Sequence, residues 1–316
     1  DGTVKHIESI DFTSLYDFIS HEEIDDALGE LIPLVYKDRQ FLEVSKFNPK
    51  AKSQTAEWRG TRDDEKLSID REMLGKLVTE LNSCFFVCGS KIYKQKRGTA
   101  MGLSPAPFMA NLVLYMQERK WGKQFKTAGM EILRYLDDVL GLNAEVSKLG
   151  LDIYKPPLKF TEDPATPDPM NPNVRNLHFL DLDIRVDISS GETSWSTYDK
   201  RAEYGFRVNK MPRRDSCIHS CTLRSVIVGQ CHRAVLTNKK LKDFLRNAET
   251  LIDDAILNGW PKPKIFENTL AFIRKLDHAK TIEWRCKKRD IKCHFDSYIS
   301  GCSRSVGISS QSSPSH

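Results

Sequence analysis

Residues 4–11 (VKHIESID) roughly alternate apolar and polar positions and end on a carboxylate, the pattern of a half-buried strand. Ser20 then precedes His21-Glu22-Glu23-Ile24, an N-cap with acids in the first turn, which predicts a helix to about Tyr36. Residues 37–66 are polar, charged and without a clear period, so they read as an inserted loop. A second helix is predicted over 68–81, with Ser68 as its cap. Residues 84–87 and 91–95 read as a short strand pair around Cys88-Gly89-Ser90.

The glycine-punctuated turn 98–105 runs into an apolar stretch, 106–121, that predicts a buried helix. Residues 131–135 and 139–142 flank Asp137-Asp138 as two apolar arms, which is how a tight hairpin reads. Four prolines within 163–173 (DPATPDPMNPN) predict that no ordered sheet forms there. A further hairpin is predicted from 179–186 and 193–198 around Ser189-Ser190-Gly191. Beyond about residue 215 the pattern turns helical, over 223–236, 238–258 and 265–276, and the Ser-rich end, 301–316, reads as disordered. The expected class is α+β, an antiparallel sheet backed by helices over 1–190, then a mainly helical part over 191–300.

Composition narrows the function classes. With 40% hydrophobic and 29% charged residues in 316, the chain is neither disordered nor a disulfide mini-protein, and no apolar run approaches the roughly 18 residues of a membrane span. Eight cysteines are too few for a disulfide scaffold, and no signal peptide precedes them, so a reducing compartment is expected. The net charge of +5 conceals an asymmetry: residues 1–190 hold 25 Lys+Arg against 30 Asp+Glu, and residues 191–316 hold 23 against 13. A basic part joined to an acidic one points to a polyanionic partner, most often nucleic acid.

Asp11, Asp137 and Asp138 stand at strand ends or tips rather than on solvated helix faces. Adjacent aspartates repel, and a divalent cation is the simplest offset. Mg²⁺ prefers a few carboxylates plus phosphate oxygens, which suits a two-metal site acting on a nucleoside triphosphate. A bare Asp-Asp pair is usually only a polar turn, whereas Tyr-X-Asp-Asp between apolar arms is more specific.

These residues carry a family resemblance. Tyr135-Leu136-Asp137-Asp138 resembles the YxDD box of reverse transcriptases, and Ile10-Asp11-Phe12-Thr13-Ser14-Leu15-Tyr16 resembles their upstream aspartate motif. Between them, Gly98-Thr99-Ala100-Met101-Gly102-Leu103-Ser104-Pro105 with Ala110-Asn111 is similar to the turn and helix that cradle template and incoming nucleotide. Relatives carry a longer Gly-Ser-Pro-Leu-Ser-Pro turn there, and most have glutamine at Met101. Leu158-Lys159-Phe160-Thr161-Glu162 and Leu177-His178-Phe179-Leu180-Asp181 resemble the last palm motifs of Penelope-like retroelements. The stretch 198–233, with Arg224-Ser225 and His232-Arg233, is similar to that group's thumb. The resemblance covers about residues 5–280, and no telomerase-specific region is found in the sequence.

The resemblance implies a polymerase palm followed by a helical thumb, and RNA-directed DNA synthesis with two Mg²⁺ ions, Mn²⁺ being a substitute. Asp11, Asp137 and Asp138, with the Phe12 carbonyl, would hold the metals; Tyr16 would act as a steric gate against a ribose 2′-hydroxyl. Met101, Gly102 and Tyr135 would line the nucleotide site, and Lys159 is either a proton donor to pyrophosphate or a surface lysine. His178 and Phe179 would grip the primer end. Arg207, Lys210, Arg213, Arg214, Arg224 and Arg233, with Lys239 and Lys240, lie among one acid, Asp215, and would track the phosphates of an RNA template and DNA primer. The partners expected are that duplex and deoxynucleoside triphosphates. Only ten residues precede Asp11, where relatives carry a fingers region. Three readings stay open: a piece of a longer polymerase, a fingers-bearing partner, or a catalytically silent RNA-binding subunit of a ribonucleoprotein. Cys217, His219, Cys221, Cys231 and His232 could supply four zinc ligands, but their spacing departs from the usual clusters and buried thiols are favoured; Cys286, Cys293, His294 and Cys302 form a second loose group with the same weakness of spacing.

Overall fold

Strand β1 (Ile7–Thr13) organises the first half of the chain: Ile10 and Phe12 point inward while Asp11 and Thr13 face out, the period-2 consequence of strand geometry. The computed structural model describes residues 3–45, 55–62, 66–206, 208, 210–219, 221–276 and 288–301. They divide into two units, 1–165 and 166–316.

In the first unit β1 lies between β8 (Asp138–Leu142) and β9 (Lys159–Pro164), and β7 (Glu131–Tyr135) forms the far edge; every pairing is antiparallel. Helices α2 (His21–Tyr36), α4 (Ala106–Glu118) and α6 (Val146–Ile153) contribute to one core that contains Ile10, Phe12, Ile24, Leu114 and Val139. The start of α2 follows the sequence reading: the Glu23 amide donates to the Ser20 hydroxyl and the Ser20 amide donates to the Glu23 carboxylate, a full capping box. Gly150 on α6 has no room for a side chain, since a Cβ would stand 2.9 Å from the Phe160 ring. The segment 37–66 is not simply a loop. It holds β2 (Phe41–Val44) and β3 (Ala56–Arg59), which form a three-stranded sheet with β4 (Leu67–Ile69). Its charges are used internally, the buried Glu43 taking both Arg59 at 3.6 Å and Lys66 at 3.5 Å, while Trp58 packs edge-on against Tyr36. Ser68 therefore belongs to a strand, and α3 (Arg71–Leu81) is capped by Asp70, whose carboxylate accepts from the Met73 amide.

In the second unit β10 (Thr166–Pro167), β11 (Val174–Phe179), β12 (Leu182–Asp187) and β13 (Thr193–Thr197) form an antiparallel meander in sequence order. The proline-rich segment thus does enter sheets, at the end of β9 and in β10. Both are edge strands, where a missing N–H removes no ladder bond on the open side. Phe179 ends β11 rather than opening the hairpin, because the turn falls at Leu180-Asp181, with Leu180 at φ 53°. Helices α7 (Cys221–Thr237), α8 (Leu241–Leu257), α9 (Lys262–Lys275) and α10 (Lys288–Gly301) enclose Phe244, Phe272 and Phe295 at 0% exposure. The sequence pattern predicted the first three and missed α10. Arg207, Cys286, Cys302 and the Ser-rich tail 302–316 lie outside the described residues.

Arg201 ties this unit together, donating to Asp199 and to the nearly buried Asp254. Burial alone would raise the Asp199 carboxyl, but hydrogen bonds from Arg201 and Lys210 outweigh it and hold the group well below the ordinary carboxylate range. The unfolded chain therefore takes up the Asp199 proton first as pH falls. This contribution to stability is complete above the unfolded value near 3.9 and is lost as the pH falls through the folded value. Urea denaturation of the full chain should show stability declining below about pH 4, and the Asp199→Asn variant should be less stable at neutral pH and decline less on acidification.

Candidate active site

The register of the first sheet sets the site. Asp11 on β1 stands directly opposite Asp138 on β8, and on its other side opposite Thr161 on β9. Partners opposite one another in an antiparallel ladder share a face and bring their Cβ atoms to about 5 Å. Asp138 closes the β7–β8 hairpin against Tyr135, leaving Leu136-Asp137 as the two-residue turn. The Phe12 amide donates to the Asp137 carbonyl at 3.0 Å, so the turn is fastened to the strand that carries Asp11. Lys159, opposite Thr13, lies on the same face as Asp11, one pair along, and is exposed.

Leu136 holds φ 55°, a left-handed conformation that a branched side chain tolerates poorly and that costs on the order of 1–3 kcal/mol. A buried network offsets it. Arg134, on β7, donates to the Leu136 carbonyl at 3.1 Å, to Asn111 on α4 at 2.5 Å, and through two nitrogens to Glu118 at 2.5 and 3.2 Å. The Tyr154 hydroxyl donates to the same Glu118 at 2.9 Å, and its burial, then Glu118, pushes the phenol far above its ordinary value. Sequence reasoning passed over Arg134, Glu118 and Tyr154. The available signal was a lone arginine at an inward position of an otherwise apolar arm.

Tyr16 is half-buried, and its phenol is raised by that burial first, then by the charge of Asp137 and by Tyr135; the gate candidate and the turn are therefore neighbours. The residues after β1 form a cradle for the Gly98 turn. The Thr99 amide donates to the Tyr16 carbonyl at 2.8 Å and the Gly98 amide to the Ile19 carbonyl at 2.9 Å. Gly98, at φ 78°, would put a Cβ 2.7 Å from the Tyr16 carbonyl oxygen, so this position requires glycine. Gly102 also has positive φ, 96°, and Met101 beside it is 72% exposed.

The described residues include no group of three His, Cys, Asp or Glu side chains gathered closely enough to hold a metal ion. Asp11, Asp137 and Asp138 are neighbours through the backbone register of β1, β8 and the turn before β8. Their chemistry fits a hard divalent cation: carboxylate oxygens on one sheet face, with no soft ligand among them.

In the second unit His178 faces solvent, paired with Asp183 and stacked on Tyr198 at 4.2 Å between centroids. The Phe179 ring faces inward at 9% exposure, because alternation along β11 turns adjacent residues to opposite faces. A surface contact at this turn falls to His178 and not to Phe179. Several of the basic residues already have partners: Lys210 with Asp199, Arg213 with Asp215, Arg233 with Asp181, while Arg214 and Arg224 are exposed. The zinc reading fails on distance. Cys221 and Cys231 both sit on α7, ten residues and about 15 Å apart, and Cys231 is fully buried, its thiol pushed up to about 12. Cys217 and Cys221, expected to be buried, are exposed.

No protein-family model and no curated sequence matches the chain. Solved structures do. Telomerase from Candida albicans, in complex with the TWJ fragment of telomeric RNA, is similar over 94% of this chain and 49% of its own, at 10% identity and a TM-score of 0.57. Telomerase from Candida tropicalis is similar over 96% and 48% at 13% identity and TM-score 0.44, and the Sicinivirus 3Dpol RNA-dependent RNA polymerase over 81% and 48% at 15% identity and TM-score 0.43. The chain spans about half the length of these solved chains. The Candida albicans likeness shows the fold: a polymerase-like palm and thumb with antiparallel sheets, as the motifs implied.

The Arg134 guanidinium, 11% exposed, is paired with the partly buried Glu118 carboxylate. Glu118→Ala would leave it without a counter-charge, and chemical denaturation should report a loss of about 2–3 kcal/mol, against about 1 kcal/mol or less for Glu72→Ala in the exposed Lys76 pair.

Proposed function

We propose that this chain is the palm and thumb of an RNA-directed DNA polymerase that adds deoxynucleotides to a primer 3′ end with two Mg²⁺ ions. The observation that carries the reading is the register that sets Asp11 opposite Asp138, with Asp137 in the adjoining turn. Asp11, Asp137 and Asp138, with the Phe12 carbonyl, are assigned to the metals, which would supply charge neutralisation at the triphosphate and activation of the primer hydroxyl. Tyr16 is assigned the sugar check, on its position beside Asp137; Met101, Gly102 and Tyr135 line the nucleotide site. Lys159 shares the face of Asp11, which favours the proton-donor role over that of a mere surface lysine. The thumb cations Lys210, Arg213, Arg214, Arg224 and Arg233, with Arg207, would hold the RNA–DNA duplex, the ion pairs at three of them exchanging for phosphate. The affinity with Penelope-like retroelements rests on the boxes at 158–162 and 177–184 and on the 198–233 stretch.

A second reading, a catalytically silent RNA-binding subunit of a ribonucleoprotein, draws on the likeness to the Candida albicans telomerase solved in complex with an RNA fragment. Primer extension separates the two. On an RNA template with Mg²⁺, the chain should extend a DNA primer, and Asp137→Asn should lower the rate on the order of a thousandfold or more, several kcal/mol of metal-borne stabilisation being removed. An Asp137→Asn variant as active as its parent would sink the metal assignment of Asp137, and a parent chain that extends no primer would sink the polymerase reading. Tyr16→Ala should raise ribonucleotide incorporation relative to deoxynucleotide on the order of tenfold or more, read as the ratio of kcat/KM values.

A further inference from the structure

The hairpin of β5 (Phe85–Cys88) and β6 (Lys91–Lys94) has no counterpart in the core of its unit. Every residue from Phe85 to Lys94 is exposed, including Phe85 at 61%, Phe86 at 51%, Val87 at 71%, Ile92 at 73% and Tyr93 at 44%. A two-stranded hairpin with no covered face is marginally stable in water, so this surface is built to be covered.

Its chemistry selects the occupant. Register pairs Phe86 with Tyr93 on one face, their rings stacked at 5.5 Å and 17°, and Phe85 with Lys94 on the other, the ammonium 5.8 Å over the ring. Lys91, Lys94, Lys96 and Arg97 lie here, and no acidic residue occurs between Glu80 and Glu118. A protein partner would favour a lysine-poor aromatic centre. Flat aromatic rings interleaved with uncompensated cations suit bases and phosphates of an unpaired strand, since each base offers a π-face and each linkage a negative charge. The hairpin also adjoins the active site: Arg97 stacks over Phe18 at 5.4 Å and leads into the Gly98 turn seated on Tyr16.

We infer that the β5–β6 hairpin is a stacking platform for single-stranded nucleic acid, Phe86 and Tyr93 taking bases and Lys91, on the same face as Tyr93, a phosphate. This rests on the polymerase reading for its role, the unpaired template strand being the ligand, but its test needs no catalysis. Fluorescence anisotropy of the full chain, without nucleotide or Mg²⁺, would use a labelled oligouridylate of roughly 16 nucleotides and a blunt RNA–DNA duplex of equal length. The doubly substituted Phe86→Ser, Tyr93→Ser chain should bind the single strand at least about fivefold more weakly while holding the duplex within about twofold. Unchanged single-strand affinity, or equal loss for both ligands, would overturn the proposal. So would a shift in sedimentation to a smaller oligomer with single-strand binding intact, which would identify a protein occupant. If that chain fails to fold, Lys91→Gln should flatten the salt dependence of single-strand binding by about 0.7 logarithmic units per decade, and an unchanged slope would equally refute it. Loss of the polymerase reading through a chain that extends no primer leaves these binding outcomes untouched.

Discussion

Two carboxylates placed directly opposite each other across an antiparallel ladder repel, and the first unit is arranged to hold Asp11 and Asp138 there regardless. The force that does so is on the other face of the same strands. Ile10, Phe12 and Val139 are each at most 3% exposed and belong to the core that α4 and α6 cover, and a slip of β1 by one residue would turn Ile10 and Phe12 to solvent. Burial of three such side chains is worth several kcal/mol, more than the repulsion of two partly solvated aspartates. The apolar side of the sheet therefore fixes the position of the charged side.

The turn beyond β7 depends on that register as well. Leu136 is held in a left-handed conformation between a carbonyl–amide bond from Asp137 to Phe12 and the Arg134 guanidinium. Arg134 is itself oriented by Glu118 and Asn111 from α4 and, through Glu118, by Tyr154 beyond α6. Three segments distant in sequence, β7, α4 and the residue after α6, thus meet around the one guanidinium that donates to the Leu136 carbonyl. The packing of α4 and α6 against the sheet is in this way transmitted to the aspartates without any of those residues facing the site.

Local signals were legible in the sequence where local chemistry decides. The Ser20 capping box, the apolar arms around Asp137-Asp138 and the three amphipathic helices of the second unit follow from neighbours within a few residues. What escaped reading was decided by distant partners. Residues 37–66 look like a loop because their strands spend charge on one another and lend one aromatic, Trp58, to Tyr36. The prolines near 164 and 167 are tolerated because β9 and β10 are edge strands, a property of topology alone. The Phe179 ring is turned inward by a turn placed one residue later than the pattern suggests. The acids that engage Lys210 and Arg233 lie 11 and 52 positions away, which makes a count of positive charge overstate what is available to phosphate.

That last point bears on how a site is argued on this fold. A palm and thumb shared at 10% identity constrains the path of the backbone and very little of the surface chemistry. In the second unit the excess of cations is partly consumed by exposed ion pairs, each worth at most about 1 kcal/mol, so a phosphate oxygen can displace an aspartate at small cost. In the first unit the excess around the β5–β6 hairpin has no acid within its own stretch of sequence to consume it, and its rings are already in the open. The total charge of a segment is therefore a weaker guide to nucleic-acid contact than whether its cations have partners and whether flat apolar surface lies beside them. By that measure the proposed contact surface on the hairpin of the nominally acidic half is as well suited to phosphates and bases as the one proposed for the basic half.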